Sequence, residues 1–255
     1  MTYIIGIDIG STATKAVLIN EKNEITQKTI VSIGTGTKGP NLALSNILGD
    51  SGLSLDDIDK IIAKGYGRFT FDKTDDQKSE LSCHAKAISF LIPGTEEIID
   101  IGGQDIKVMT INNKGVIENF VMNDKCAAGT GRFLDTMARA MDVTIDKLSD
   151  LSLNSTDPTE ISNTCTVFAE SEVISKLSKD IPLEDIASGI HYSVAHRVAS
   201  LVARCGKRDN ISISGGVAKN EGLRKILEEE LATKINFHED SQYAGALGAA
   251  MYGLN

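Results

Sequence analysis

The sequence contains few cysteines, no long apolar run and no cluster of basic residues. Four cysteines in 255 residues are too few for a disulfide scaffold, so we expect free thiols in a reducing compartment. No apolar stretch reaches the roughly 20 residues of a membrane span, and no basic segment precedes the first apolar run. The net charge is −9 and Lys and Arg are scattered, which disfavours nucleic acid as a partner. We therefore expect a cytoplasmic globular protein with no membrane or nucleic-acid partner.

Strand-like apolar runs alternate with helical patterns along the whole chain. This alternation predicts an α/β fold whose sheets are covered on both faces. The clearest helical periodicity lies in residues 185–205, where one apolar stripe ends at Cys205 before Gly206. The predicted strands are YIIGIDIG, KAVLIN, KTIVSIG, DKIIAKG, EEIIDIGG, KVMTIN, GVIENFVM and NISISGG.

Two segments of the chain are similar to each other. DIGSTATKAVLI and DIGGQDIKVMTI share Asp, Ile, Gly, Lys and Ile at matching places, which indicates a duplicated fold. Each copy reads as a strand, a tight turn and a returning strand, so two hairpins would face each other across a cleft. We predict one half over residues 1–94 and a second over residues 95–255. The small residues of a C-terminal helix at about 241–254 would let it pack back on the first half.

Both hairpin turns are rich in glycine or small hydroxyl residues. Backbone N–H groups of such turns can cradle phosphate oxygens, and Ser11 and Thr12 add hydroxyl donors. Asp8, at the end of the first strand, could hold Mg²⁺ through water. In a third element, ISISGGVAKN, the missing side chains would let a ring or ribose lie against the backbone. The alternative is that Asp and Gly only make turns.

The order of a DIG hairpin, a DIGG hairpin and a late SGG turn resembles the superfamily of actin, hexokinase, acetate kinase and the heat-shock chaperone ATPases. The resemblance implies two ribonuclease-H-like halves that bind ATP and Mg²⁺, with phosphate loops at 8–15 and 100–105 and the nucleoside at 214–220. The string GTGTKG matches the dinucleotide pattern G-x-G-x-x-G, but Pro40 follows it at once. A dinucleotide fold is therefore disfavoured.

Two cysteines precede apparent helices. Cys126 stands before the glycine-rich turn of NDKCAAGTGRF, and Cys165 stands before the apolar helix pattern of TCTVFAESEV. Helix N-termini favour negative charge, so thiolates placed there could hold an anionic iron–sulfur cluster. A [4Fe-4S] cluster needs four thiolates, which a homodimer would supply. The alternative ligand set within one chain adds Cys83 and Cys205, which look structural because they fall within helical patterns.

The family resemblance is sharpest around these cysteines. ELSCHA, DIGGQD, NDKCAAGTGRFLD, TCTVFAESEVIS, SGIHYSVAHRV, SGGVAKN and QYAGALGAA resemble the activator component of 2-hydroxyacyl-CoA dehydratases, a family that includes benzoyl-CoA reductase subunits and activators of double-cubane-cluster proteins. The resemblance implies a homodimer that shares one [4Fe-4S] cluster through Cys126 and Cys165 of each copy, with Asp8 linked to Mg²⁺. Nucleotide contacts are expected at Gly10, Ser11, Thr12, Ala13, Lys15, Gly102, Gly103, Gln104, Gly215, Gly216, Lys219 and Asn220.

The resemblance also implies an activity. Ferredoxin or flavodoxin would reduce the cluster, and ATP hydrolysis would drive the electron into a partner iron–sulfur dehydratase or double-cubane-cluster protein. Gln104 or Asp105 could orient the attacking water, with Lys15 or Lys107 near the phosphates or, alternatively, solvated on their strands. His191 and the other helical histidines are expected to be packed or exposed rather than catalytic. The competing functions are a sugar or acetate kinase and an ATP-gated sensor.

Overall fold

The computed structural model describes residues 2–35, 38–162 and 165–254. It divides into two compact units. The first unit comprises Met1–Gly94, Ile111–Ile117 and His238–Asn255, and the second comprises Thr95–Thr110 and Glu118–Phe237. The C-terminal segment therefore belongs to the first unit rather than to the unit that precedes it in sequence.

The first unit contains a five-stranded mixed sheet. Its strands, in the spatial order β3-β2-β1-β4-β5, are antiparallel between β3, β2 and β1 and parallel between β1, β4 and β5. The strands are β1 (Tyr3–Ile9), β2 (Thr14–Asn20), β3 (Ile25–Val31), β4 (Lys60–Lys64) and β5 (Asp76–Gln77). The helices are α1 (Gly39–Ser51), α2 (Glu80–Leu91) and α8 (Ala244–Gly253).

The central strand β1 is buried along nearly its whole length because helices cover both of its faces. Ile5, Ile7 and Ile9 pack with α1 in one apolar cluster. On the other face Gly6 lies against α8, where a Cβ atom would stand 1.9 Å from the Ala246 carbonyl oxygen. The continuous apolar sequence of β1 follows from this two-sided burial.

The second unit contains a second five-stranded sheet, with the order β10-β9-β6-β7-β8. Its strands are β6 (Glu97–Ile101), β7 (Ile106–Ile111), β8 (Ile117–Asn123), β9 (Ile211–Ser214) and β10 (Ile235–Asn236). Its helices are α3 (Gly131–Ala140), α4 (Ile145–Ser152), α5 (Thr166–Leu177), α6 (Leu183–Cys205) and α7 (Glu221–Leu231).

The two sheets have the same topology. Read from the opposite edge, the second sheet runs β8-β7-β6-β9-β10, which matches β3-β2-β1-β4-β5 strand for strand. The prediction of a duplicated α/β fold is confirmed. All the predicted strands are present, whereas the two-residue strands β5 and β10 were missed because they are too short to show a pattern. Among the described residues, no helix has both the length and the apolar character that crossing a membrane requires.

Candidate nucleotide and cysteine sites

The first candidate phosphate loop connects β1 to β2. The Gly10 amide donates to the Ala13 carbonyl at 3.1 Å, which closes the turn and leaves Thr12 exposed at its tip. Lys15 is half-buried and lies opposite Asp8 in the antiparallel register. Ser11 lies between them in sequence, half-buried. The turn therefore presents a short backbone segment and two hydroxyl groups beside the end of β1.

Asp8 lies beside a buried lysine that the sequence analysis did not identify. Lys64 Nζ is 2.8 Å from Asp8 Oδ1 and 3.4 Å from Glu80 Oε1, and the lysine is 1% exposed. Its Nζ also lies 3.2 Å from Nε2 of His84. Gly245 at the start of α8 packs directly on this group, since a Cβ there would stand 2.1 Å from Lys64 Cε. Asp8 is thus held by a charge pair and by the close approach of α8.

The second candidate phosphate loop connects β6 to β7. The Gly102 amide donates to the Asp105 carbonyl at 2.9 Å, the same closure as in the first loop. Gly103 and Gln104 are half-buried, whereas Asp105 is buried and its Oδ2 lies 2.8 Å from Lys107 Nζ. Gln104 is therefore the accessible one of the two residues that were expected to orient water.

Lys107 is buried rather than solvated. It is 2% exposed, and its Nζ is 3.4 Å from Asp100 Oδ2 in addition to its contact with Asp105. The alternative that this lysine is a solvated strand residue is wrong. The positive charge of Lys107 is balanced by the carboxylates of Asp100 and Asp105. Lys107 would therefore attract a phosphate less strongly than an unpaired ammonium would.

The duplication extends to the strands that follow each hairpin. Gly65 after β4 has φ +92°, and Gly215 after β9 has φ +90°. A Cβ would stand 2.4 Å from the Ile9 carbonyl oxygen in the first case and 2.3 Å from the Ile101 carbonyl oxygen in the second. Because positive φ and this close approach both require glycine, each half uses the same device to carry the chain past the end of its central strand.

The candidate nucleoside turn follows Gly215. Gly216–Lys219 forms one turn of 3₁₀ helix, in which Gly216 and Lys219 are exposed. These two residues are therefore accessible to a ligand. Asn220 is buried, and its Oδ1 accepts from the Leu223 amide at 2.8 Å as the N-cap of α7. The Asn220 side chain thus holds the turn, and the exposed groups are those before it.

Cys126 is half-buried in the loop that precedes α3. Gly129 has φ +85°, and Thr130 is extended at φ −99° and ψ 176°, so α3 can begin only at Gly131. Cys126 therefore stands before the glycine-rich turn, as the sequence indicates, and not within the first turn of α3. A turn in which the Thr130 amide donates to the Ala127 carbonyl at 3.0 Å separates the thiol from the helix.

This cysteine-bearing loop is hydrogen-bonded to the second phosphate loop. The Gly131 amide donates to the Gly102 carbonyl and the Arg132 amide to the Gly103 carbonyl, both at 2.9 Å. The buried Thr130 hydroxyl lies 3.1 Å from the Gly103 carbonyl oxygen and 2.7 Å from that of Ala127. A shift of the phosphate loop would therefore reach the turn that follows Cys126.

Cys165 is the N-cap residue of α5, as the sequence predicted. It is half-buried, its backbone is extended, and its carbonyl accepts from the Ala169 amide at 3.0 Å. The helices α3 and α5 contact each other, so the segments that carry the two cysteines belong to neighbouring elements. The residues before Cys165, Asn163 and Thr164, lie outside the described residues, as do Gly36 and Thr37 of the GTGTKG string.

The other two cysteines are enclosed. Cys83 lies in α2 with 0% exposure, and burial raises the pKa of its thiol to about 12. Cys205 ends α6 with 5% exposure, and burial raises its pKa as well, while its Sγ lies 3.5 Å from the Val108 carbonyl oxygen. All four cysteines are free, and the half-buried pair is the pair that the sequence singled out.

The paired hairpins and the two sheets of equal topology define a fold of two similar halves, which this chain shares with a solved sugar kinase. A glucokinase of the ROK family from Streptomyces griseus, solved with glucose and AMPPNP, aligns over 98% of either chain with a TM-score of 0.59. Its identity to this chain is 13%, so this likeness shows the fold alone.

The chain belongs to the BadF/BadG/BcrA/BcrD ATPase family, whose model matches residues 5–253. The activator of the 2-hydroxyisocaproyl-CoA dehydratase from Clostridium difficile, solved with bound ADPNP, is 50% identical, covers 99% of this chain and 94% of its own, and has a TM-score of 0.97. The (R)-2-hydroxyglutaryl-CoA dehydratase activating ATPase of Acidaminococcus fermentans is 49% identical over 251 residues, 98% of this chain and 96% of its own. The predicted family and the predicted ATPase activity are confirmed.

Proposed function

We propose that this protein activates a 2-hydroxyacyl-CoA dehydratase by delivering one low-potential electron at the expense of ATP hydrolysis. Its relatives are activators of 2-hydroxyisocaproyl-CoA, lactoyl-CoA and (R)-2-hydroxyglutaryl-CoA dehydratases, which supports the dehydratase as the partner class. The observation that carries the proposal is the set of hydrogen bonds from Thr130, Gly131 and Arg132 to the carbonyls of Gly102 and Gly103. A loop that contacts phosphate is thereby linked to a loop that carries an accessible thiol.

The nucleotide is bound largely through backbone groups and small side chains. The two hairpin turns hold phosphate oxygens through backbone N–H groups of residues 10–13 and 102–105, which lie outside the ladder pairs of their sheets. The Gly216 turn takes the nucleoside because nothing stands within 4 Å of the position of a Cβ on this glycine. The proposed contacts are Gly10, Ser11, Thr12, Ala13, Lys15, Gly102, Gly103, Gln104, Gly215, Gly216, Lys219 and, through its backbone, Asn220.

Asp8 fits a water-mediated contact with Mg²⁺ better than direct coordination. The Lys64 ammonium already lies 2.8 Å from Asp8 Oδ1, and Gly245 packs closely on the same carboxylate. A second cation bound directly to this carboxylate would be repelled by the ammonium, whereas Mg²⁺ that keeps its waters stays further away. Mg²⁺ would supply charge neutralisation of the phosphates, and Asp8 would orient its water shell.

Gln104 is proposed to orient the attacking water. It is half-buried at the tip of its loop, while Asp105 is buried against Lys107. A neutral amide can donate to one oxygen and accept from another, which is sufficient to position water when charge stabilisation does most of the work. Asp105 then acts as a positioning group that fixes Lys107 and closes the turn.

Cys126 and Cys165 fit a [4Fe-4S] cluster shared by two copies of the chain. They are the half-buried thiols, whereas Cys83 and Cys205 are enclosed in packed helices. Two thiolates from each of two protomers complete the four that such a cluster requires. The cluster would supply one-electron redox chemistry. The N-terminus of α5 favours negative charge at Cys165, and the Ala127–Thr130 turn sets the position of Cys126.

Partners follow from this chemistry. A second copy of the chain completes the ligand set, ferredoxin or flavodoxin supplies the electron, and an iron–sulfur dehydratase or a double-cubane-cluster protein accepts it. The apolar side chains Val167, Phe168 and Ile174 of α5 are each more than half exposed, so this helix has an apolar surface close to Cys165.

The proposal is tested by electron delivery under strictly anoxic conditions. Protein reduced by dithionite, then freed of reductant, is mixed with a recombinant 2-hydroxyisocaproyl-CoA dehydratase and MgATP, and dehydration is measured together with phosphate release. We expect dehydration that requires both MgATP and the two half-buried cysteines. Cys126→Ser and Cys165→Ser should abolish it, whereas Cys83→Ser and Cys205→Ser should retain it. Equal dehydration without nucleotide, or with either of the first two variants, would refute the proposal.

A further inference from the structure

His191 lies at the centre of a buried hydrogen-bond network in the second unit. It belongs to α6 and is 0% exposed. Its Nδ1 is 2.8 Å from the Ser152 hydroxyl of α4, and its Nε2 is 3.2 Å from Nδ2 of Asn220. Burial lowers the pKa of His191 to about 3, so the ring is neutral at physiological pH. One side chain therefore joins two helices to the turn that precedes α7.

The hydrogen bonds fix the position of the ring proton. Asn220 Oδ1 accepts from the Leu223 amide at 2.8 Å, which turns the Asn220 NH₂ group toward His191. That NH₂ group can only donate, so Nε2 of His191 must be the acceptor and Nδ1 carries the proton. Nδ1–H then donates to the Ser152 oxygen, and the Ser152 hydroxyl donates in turn to the Ser149 carbonyl at 3.1 Å.

The network also sets the position of the Gly216–Lys219 turn. The backbone amide of Asn220 donates to the Val217 carbonyl at 2.9 Å and closes this turn. The side chain of the same residue is the one that contacts His191. Packing here leaves little freedom, since a Cβ on Gly222 would stand 2.2 Å from the Ser152 hydroxyl and 3.2 Å from His191 Cε1. A displaced Asn220 would therefore move both the start of α7 and the exposed residues Gly216 and Lys219.

We propose that His191 is a positioning residue for the nucleotide, which acts by holding Asn220 and with it the Gly216–Lys219 turn in the binding conformation. This inference rests on the proposed nucleoside role of the turn. It assigns a function to a histidine that the sequence analysis expected to be either packed or exposed, without a role. The acceptor nitrogen Nε2 serves nucleotide affinity, whereas the donor Nδ1–H serves the packing of α4 on α6.

Two substitutions separate the two nitrogens of the ring. In His191→Asn the side-chain amide is attached at the position of Nδ1, so it can still donate to Ser152 but does not reach Asn220. In His191→Gln the amide is one carbon further out, so its oxygen can still accept from Asn220 and the Ser152 contact is lost. Both variants shorten or open a buried ring and should lose comparable stability in urea unfolding. A purely structural role predicts that they also lose comparable nucleotide affinity.

Binding of MgADPNP to each purified chain, measured by calorimetry, distinguishes these cases without a cluster or a partner protein. We expect a Kd about tenfold higher for His191→Asn and within about twofold of the wild type for His191→Gln, since one positioning hydrogen bond differs between them. Asn220→Ser retains an N-cap for α7 and removes only the contact with His191, so it should match His191→Asn. This variant preserves the test if either histidine variant fails to fold.

The outcomes separate this inference from the proposed function. Wild-type protein that does not bind MgADPNP would refute the nucleotide site itself. Wild-type protein that binds, with equal affinities for His191→Asn and His191→Gln or an unchanged affinity for Asn220→Ser, would refute only the role of His191.

Discussion

The Thr130 hydroxyl provides the sharpest test of the link between the phosphate loop and Cys126. It is fully buried and lies within hydrogen-bonding distance of the carbonyl oxygens of Gly103 and Ala127. Thr130→Val removes this hydroxyl while keeping the branched shape of the side chain. Thr130→Ser keeps the hydroxyl and is the matched control.

The expected cost in stability is small because neither carbonyl loses its last donor. The Gly103 oxygen still accepts from the Arg132 amide, and the Ala127 oxygen still accepts from the Thr130 amide. Thr130→Val should therefore lower the free energy of unfolding by about 1 kcal/mol, the net value of a typical hydrogen bond. For a chain of this length that corresponds to a fall in Tm of roughly 2–4 °C. The variant should remain folded at 25 °C.

Thr130→Val should have a clear effect on the coupling between nucleotide binding and the exposure of Cys126. The rate at which a soluble thiol reagent labels Cys126 is measured in cluster-free Cys165→Ser protein, with and without MgATP, so that Cys126 is the accessible thiol. If the hydroxyl transmits about 1 kcal/mol of coupling, the ratio of the two rates should shift by about fivefold toward unity in Thr130→Val. Thr130→Ser should keep the wild-type ratio. A folded Thr130→Val protein with the wild-type ratio would refute this link.

Three further predictions concern buried charges and close packing. Lys64→Met should lower the free energy of unfolding by about 3–5 kcal/mol because it removes the charge partner of the buried Asp8 carboxylate, whereas Lys78→Met, at a surface ion pair, should cost about 1 kcal/mol or less. Equal losses of stability in the two variants would contradict the buried ion pair between Lys64 and Asp8. Gly245→Ala should lower Tm because its Cβ meets the buried ammonium, whereas Gly49→Ala has open space in α1 and should raise Tm slightly. Burial raises the pKa of Glu97 above its ordinary 4.5, so the contribution of this side chain to stability falls as pH rises through that window. The stability of Glu97→Gln relative to wild type should therefore grow from pH 4 to 7 in urea unfolding, and a constant difference would refute this.

The residues that the sequence identified correctly are those with a local signal. An Asp at the end of an apolar run followed by Gly predicts a strand and a tight turn, and the repeat of this pattern predicts the two matching sheets. Cys165 was placed correctly because an N-cap directly precedes a periodic apolar pattern. The exact start of α3 could not be predicted, because the left-handed conformation of Gly129 is not visible in the string CAAGTG.

The residues that the sequence missed depend on contacts between distant segments. Lys64 reads as the polar end of a strand, and only the parallel pairing of β4 with β1 brings it to Asp8. The bonds from Thr130 to Gly103 and from Asn220 to His191 likewise join elements that are distant in sequence. KIIAKG and ISISGG occupy equivalent places in the duplication, and in each the residue before the first glycine, Lys64 or Ser214, contacts the aspartate at the end of the central strand.

The central claim is that two copies of the chain hold one iron–sulfur cluster through Cys126 and Cys165. The most direct test is the iron and sulfide content of protein purified without oxygen, determined together with its mass in solution. The account predicts a dimer with about four irons and four sulfides per two chains, lost in Cys126→Ser and Cys165→Ser and retained in Cys83→Ser and Cys205→Ser. A monomer with a full complement of iron, or a dimer that keeps its iron after either of the first two substitutions, would contradict it.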